Sequence, residues 1–207
     1  MFGILFLVAL PFAVLTRFFA ERKQSIIFPL IFSLVFLLLS IPIFRKFSLG
    51  FEFFYFSLFT LVLLGIAYVD FLTEGIPQLY THGGIILGLV LSYFTRFPGL
   101  KSSLIGVGTG AFAFVFLKVI SDALMKKESF GLGDIKLLTM VGAFGGPYLL
   151  LVGIVGGSFI GIIYGIWKIL KTGDKRVPFG PFISVASYLG VILQPQIQHF
   201  VAKLFVS

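Results

Sequence analysis

Long apolar runs, each closed by a few charged or turn-forming residues, organise this chain. Five of them fall at about residues 2–20, 26–44, 51–69, 79–93 and 103–120. A helix needs about 20 apolar residues to cross the hydrocarbon core of a bilayer, so runs of this length read as membrane spans. Pro11 predicts a kink in the first. The runs are separated by Glu21-Arg22-Lys23-Gln24, by Arg45-Lys46, by a loop at residues 71–78, and by Arg96 with Pro98-Gly99. In the third of these breaks, Gly75 and Pro77 discourage continued helix. A polar stretch at residues 121–130 follows the fifth run. From Ile135 to Leu170 the apolar run is too long for one ordinary span, and Gly145-Gly146-Pro147 predicts a break within it. The pattern therefore predicts a short sixth span to Gly145 and a seventh at about residues 148–170. After a basic loop at residues 171–178, residues 179–206 supply an eighth span, bent near Pro195. The expectation is an all-α polytopic membrane protein of about eight helices, forming one integral-membrane domain over residues 1–207.

Composition strengthens that reading. The chain is 58% hydrophobic and 12% charged, with a mean hydropathy of +1.11, against about 25% charged residues in soluble domains. A soluble domain of this size has no interior large enough for so much apolar surface, so lipid is the expected partner. The 28 Phe residues suit a lipid-facing surface better than an aqueous core. The net charge of +8 would suggest nucleic acid in a soluble protein. Here the excess of basic residues in cytoplasmic loops explains it, and no nucleic-acid partner is expected. With no Cys there is no disulfide and no thiolate metal site. The N-terminus lacks a basic region and a small-residue cleavage site, and is read as a retained first span.

The Lys and Arg residues set the orientation. With eight spans, the loops after spans one, three, five and seven share one face. That face holds eleven of the basic residues, against five on the other, and is expected to be cytoplasmic. Both termini then lie outside, and Asp70 and Asp134 lie at the same cytoplasmic boundary. Glycines recur every four residues at 153, 157, 161 and 165, with shorter versions at Gly84/Gly88, Gly106/Gly110 and Gly142/Gly146. Such stripes predict seams where another helix approaches closely.

Acidic residues carry the candidate chemistry. Glu21, Glu52, Glu128 and Asp174 lie in loops or at span edges beside basic residues and read as solvated charge. Asp122 has Lys118 and Lys126 at helical spacing and reads as an ion-pair partner. Asp70 and Asp134 remain, each at the end of an apolar run, where a carboxylate is costly and calls for a reason. Two carboxylates held close share one proton. Such a pair activates a water for attack on a peptide carbonyl and protonates the leaving nitrogen, without metal or cofactor. It equally serves proton or ion coupling in a transporter, and the residues alone leave both readings open. The glycines of Gly131-Leu132-Gly133-Asp134 let an extended substrate backbone come close, which makes Gly131 and Gly133 candidate substrate-binding residues. Lys136 and Glu74 are further candidates. Lys136 is placed to hold a deprotonated aspartate or meet an acidic substrate residue, or else is a snorkelling boundary lysine. Glu74 is placed to tune Asp70 or attract a basic peptide, or else is a solvated loop acid. His82 reads as a boundary histidine.

Gly131-Leu132-Gly133-Asp134, with Ile135-Lys136-Leu137, Gly142 and Gly145-Gly146 after it, closely resembles the second aspartate motif of the type IV prepilin peptidases. Asp70 with Ile76-Pro77 resembles the first aspartate motif, and Pro178-Phe179-Gly180-Pro181-Phe182 the C-terminal signature. Residues 68–182 carry the resemblance. It implies a Gly-x-Gly-Asp intramembrane aspartic protease with Asp70 and Asp134 as its dyad. The implied reaction is cytoplasmic-side removal of a short basic leader from prepilins or pseudopilins. Many bacterial members also carry two Cys-x-x-Cys pairs in an N-terminal insert and methylate the new N-terminus. This chain has no Cys and only a few residues between its first two spans, so it resembles a short form, and methyl transfer is not expected. The presenilin-like alternative fits less well, because Tyr68-Val69-Asp70 is not Tyr-Asp and no Pro-Ala-Leu occurs.

Overall fold

A computed structural model describes residues 2–19, 27–125, 131–173 and 177–194. Every regular element among them is a helix: α1 (Phe2–Phe19), α2 (Phe28–Phe47), α3 (Phe51–Thr73), α4 (Gln78–Ser92), α5 (Leu100–Met125), α6 (Leu132–Thr172) and α7 (Gly180–Ile192). By length and composition, α2, α3 and α6 are long and apolar enough to cross a membrane, and Leu5–Phe19 and α7 are shorter apolar helices. Several expectations fall outside the described residues: the Glu21–Gln24 loop, the Asp122–Lys126 pair, the second half of the polar stretch before Gly131, Lys175 and Arg176 of the basic loop, and the bend at Pro195.

Helix α6 is the spine, packed by α4, α5 and α7, while α3 meets α1, α2, α4 and α7. The glycine stripes are what let these helices approach. On the α7 side, a Cβ on Gly157 would lie 3.0 Å from Cα of Ile183, and one on Gly153 2.7 Å from Oγ of Ser187. On the α5 side, a Cβ on Gly106 would run into the carbonyl oxygen of Gly142. On the α4 side, a Cβ on Gly88 would meet the Phe144 ring at 2.9 Å. The four-residue glycine spacing is thus spent on helix seams.

The break expected near Gly145-Pro147 is a kink inside α6. Gly146 has φ 64 and ψ −165, a left-handed conformation suited to glycine. Pro147 has no N–H to donate back to the carbonyl four residues earlier, that of Ala143. The Tyr55 hydroxyl fills this gap: it lies 3.3 Å from the Ala143 carbonyl, 3.1 Å from that of Phe144 and 3.3 Å from that of Gly88. Phe59 stacks on Phe144, with ring centroids 4.7 Å apart. Phenylalanine therefore has two uses. Phe53, Phe56, Phe59 and Phe144 are fully buried, whereas Phe18 and Phe112 are more than three-quarters exposed. The expected lipid-facing role does not extend to the buried rings, which fill the space between these helices.

The helices run further than the apolar pattern does. Helix α3 continues past Val69 to Thr73, so Asp70 lies in its last turn. Polar residues are no bar to a helical turn, and the Thr73 hydroxyl donates back to the Val69 carbonyl at 2.9 Å. The helix stops at Glu74, left-handed at φ 53 and ψ 33, whose N–H donates to the Asp70 carbonyl. Helix α6 likewise starts at Leu132, with Gly131 as its N-cap. Asp134 is thus the third residue of a helix and not part of a turn ahead of one. Helix α5 extends to Met125, through part of the stretch read from the sequence as a polar linker.

Candidate active site

Three chain segments meet at one end of the bundle: the loop from α3 to α4, the first turn of α6, and the segment leading into α7. Between them lies a cavity of about 580 Å³ lined by Asp70, Glu74, Gly75, Ile76, Gly131, Gly133, Asp134, Val177, Pro178 and Phe179. Asp70 and Asp134 face this one space, and the charge of Asp70 reaches Asp134 across it. Glu74 adds a third carboxylate, whose charge reaches Asp70. Among the described lining residues none is basic.

Each carboxylate is held differently. Asp70 is buried, at 4% exposure, and its Oδ2 accepts a 2.9 Å hydrogen bond from the N–H of Gly180. That donor belongs to the first residue of α7, where helical N–H groups lack intrahelical partners. Asp134 sits in the first turn of α6, where free N–H groups and the helix dipole favour a carboxylate. The Asp134 and Ile135 N–H groups donate to the Gly131 carbonyl and fix this turn.

The glycines around Asp134 do more than free the backbone. A Cβ on Gly133 would lie 3.1 Å from Cβ of Ile76, and one on Gly131 would lie 3.1 Å from Oδ2 of Asp134. Gly133 therefore lets the first turn of α6 close on the Ile76-Pro77 loop that follows Asp70. Of the residues singled out in the sequence, Asp70, Glu74, Gly131, Gly133 and Asp134 line the cavity. Lys136 does not; it is half-buried, two residues beyond Asp134 in α6. His82 is exposed, with Nδ1 2.8 Å from the Gln78 carbonyl, as a boundary residue would be. Gly180 was not among the sequence candidates. Its partner Asp70 is 110 residues away in the chain, and the only signal was its place in the Pro-Phe-Gly-Pro-Phe segment. Among the described residues, no three His, Cys, Asp or Glu side chains gather as a metal site.

Residues 57–166 match the type IV leader peptidase family, and the chain belongs to that family. Among curated proteins it is similar to the prepilin leader peptidase/N-methyltransferase of Dichelobacter nodosus, 30% identical over 150 residues, which are 72% of this chain and 51% of that protein. It is also 30% identical over 133 residues to the type 4 prepilin-like proteins leader peptide-processing enzyme of Escherichia coli, covering 64% of this chain and 49% of that one. A third relative is the prepilin leader peptidase/N-methyltransferase of Pseudomonas aeruginosa, 29% identical over 143 residues, 68% of this chain and 49% of that protein. The chain spans about half the length of these relatives. No solved structure matches it.

Proposed function

We propose that the chain is an intramembrane aspartic endopeptidase that removes the short basic leader of type IV prepilins or pseudopilins, using Asp70 and Asp134 to activate water. The observation that carries this reading is the shared cavity: two aspartates from different helices line one space large enough for a peptide strand. The family match supports the reaction class, and the names of the relatives supply the substrate class.

Two carboxylates facing one cavity do not both ionise easily, so the resting pair holds one proton. The ionised carboxylate takes a proton from a water as its oxygen attacks the scissile carbonyl carbon. The protonated one hydrogen-bonds the carbonyl oxygen and then delivers its proton to the leaving nitrogen. The C–N bond breaks, and the two carboxylates have exchanged roles. A proton passed back between them restores the starting state. Asp70, Glu74 and Asp134 together favour a cationic peptide over an anionic one. Gly131, with no side chain beside Asp134 Oδ2, leaves that carboxylate open to a substrate backbone, while Gly133 keeps the wall of the cavity closed on Ile76.

In the membrane, α6 divides at Gly146 into two spans, giving eight in all with the C-terminal segment. The cavity then faces the cytoplasm and both termini lie outside, as the distribution of basic residues favours. The test is cleavage of a purified prepilin by the purified chain in lipid vesicles, read by mass spectrometry. The expected product begins just before the hydrophobic segment and has a free amine, lighter by one CH2 than a methylated one. A leader whose Lys and Arg are replaced by Glu is expected to be cut poorly. Failure to cut any prepilin overturns the assignment.

A further inference from the structure

The contact between α3 and α7 sets the two aspartates apart, because only Asp70 takes part in it. Gly180 N–H is 2.9 Å from Oδ2 of Asp70, and both groups are buried. A protonated carboxyl also accepts through its carbonyl oxygen, but an N–H donor is bound more strongly by the ionised form and so biases this carboxyl toward it. The site leaves no room for another side chain. A Cβ on Gly180 would lie 2.7 Å from Oδ2, 3.1 Å from Cγ and 3.2 Å from Cβ of Asp70. The donor is also clamped. Phe179, just before it, packs on α6 where a Cβ on Gly161 would touch its ring at 3.0 Å. The Phe179 carbonyl accepts from the N–H groups of Phe182 and Ile183, which sets the first turn of α7. Pro178 and Pro181 on either side have no N–H, so Phe179 and Gly180 are the only backbone donors of this four-residue segment.

We propose that Gly180 is a positioning residue for catalysis. Its N–H fixes Asp70 as the unprotonated member of the pair, so Asp70 takes the proton from water and Asp134 gives its proton to the leaving nitrogen. The anchored oxygen, Oδ2, sets the side chain so that Oδ1 is the atom free to face the water. The charged and titratable groups that face this pair across the cavity are Glu74, from the loop after α3, and the two aspartates themselves. From the third side the approach is by the Gly180 N–H of α7 and by the apolar Val177, Pro178 and Phe179 that precede it. The inference rests on the dyad reading and assigns roles within it.

The test compares five proteins in cleavage of a prepilin: wild type, Asp70→Asn, Gly180→Ala, Gly108→Ala, and a protein with glycolic acid in place of Gly180. The last replaces the N–H by an ester oxygen and adds no bulk. Gly108→Ala serves as the control glycine, because a Cβ there meets nothing within 4 Å. Gly180→Ala is expected to lower kcat on the order of 100-fold with KM little changed, as a misplaced reacting group does. The ester is expected to lower kcat in the same direction, with unchanged melting in detergent, and Gly108→Ala to match wild type. A merely structural role would lower melting temperature and active fraction together and leave the kcat of the folded enzyme intact. If Gly180→Ala does not fold, the ester decides. Wild-type kcat in the folded ester or alanine protein, alongside an inactive Asp70→Asn, overturns the role of Gly180 and leaves the dyad standing. An active Asp70→Asn overturns both.

Discussion

Gly133 and Ile76 touch where the two aspartate-bearing segments meet: a Cβ on Gly133 would lie 3.1 Å from Cβ of Ile76. The contact joins the first turn of α6, which carries Asp134, to the loop that follows Asp70. It accounts for a glycine one residue before the aspartate, since any side chain there pushes the turn from the loop. Gly133→Val is expected to cut prepilin cleavage at least on the order of 10-fold more than Gly133→Ala, because displacement of about 1 Å in a reacting group is costly. Ile76→Ala in the Gly133→Val background is expected to restore part of the loss. Initial-rate assays on the double-mutant cycle check this, and strict additivity of the two effects would refute the contact's role.

Helix α5 offers a pair of glycines two residues apart with opposite expectations. A Cβ on Gly106 collides with the Gly142 carbonyl of α6, and backbone cannot move aside as a side chain does. A Cβ on Gly108 meets nothing within 4 Å. Gly106→Ala is expected to lower the melting temperature and the yield of monodisperse protein in detergent, while Gly108→Ala leaves both unchanged. Size-exclusion profiles and thermal melts of the two proteins, purified in parallel, report the difference.

The Tyr55 hydroxyl serves the kink rather than the cavity. It lies within 3.3 Å of the Ala143 and Phe144 carbonyls, the first of which has lost its helical donor to Pro147. Tyr55→Phe removes the donor and leaves a buried carbonyl unpaired, at a cost of about 1–3 kcal/mol. The folded fraction of Tyr55→Phe is expected to keep its cleavage rate, since Tyr55 does not line the site. Reversible unfolding in mixed micelles together with activity per folded molecule separates the two effects.

Much of this arrangement was legible in the chain because local chemistry dictates it. Gly145-Gly146-Pro147 marked the kink, since the pairing of φ 64 with ψ −165 at Gly146 suits glycine alone and proline cannot close the helical bond. The four-residue glycine stripes marked the seams. Apolar periodicity misjudged the helix ends at Thr73 and Leu132, because a polar residue ends an apolar run without ending a helix. The aspartates therefore lie within helical turns and not in the loops beside them. Gly180 was legible only as part of the Pro-Phe-Gly-Pro-Phe segment and not as a partner of Asp70, because the two are 110 residues apart. The burial of Phe53, Phe56 and Phe59 was invisible too, since in a membrane chain both sides of a helix are apolar and the sequence does not distinguish lipid from neighbour.

The central claim is that Asp70 and Asp134 act together on one bond. It is tested by co-expressing a prepilin with wild type, Asp70→Asn or Asp134→Asn and measuring the ratio of processed to unprocessed pilin. Asparagine keeps the size of each side chain and removes its acid–base function. Wild type is expected to process the pilin completely and either variant not at all, while both variants accumulate in the membrane at the wild-type level. Near-normal processing by either asparagine variant would contradict it.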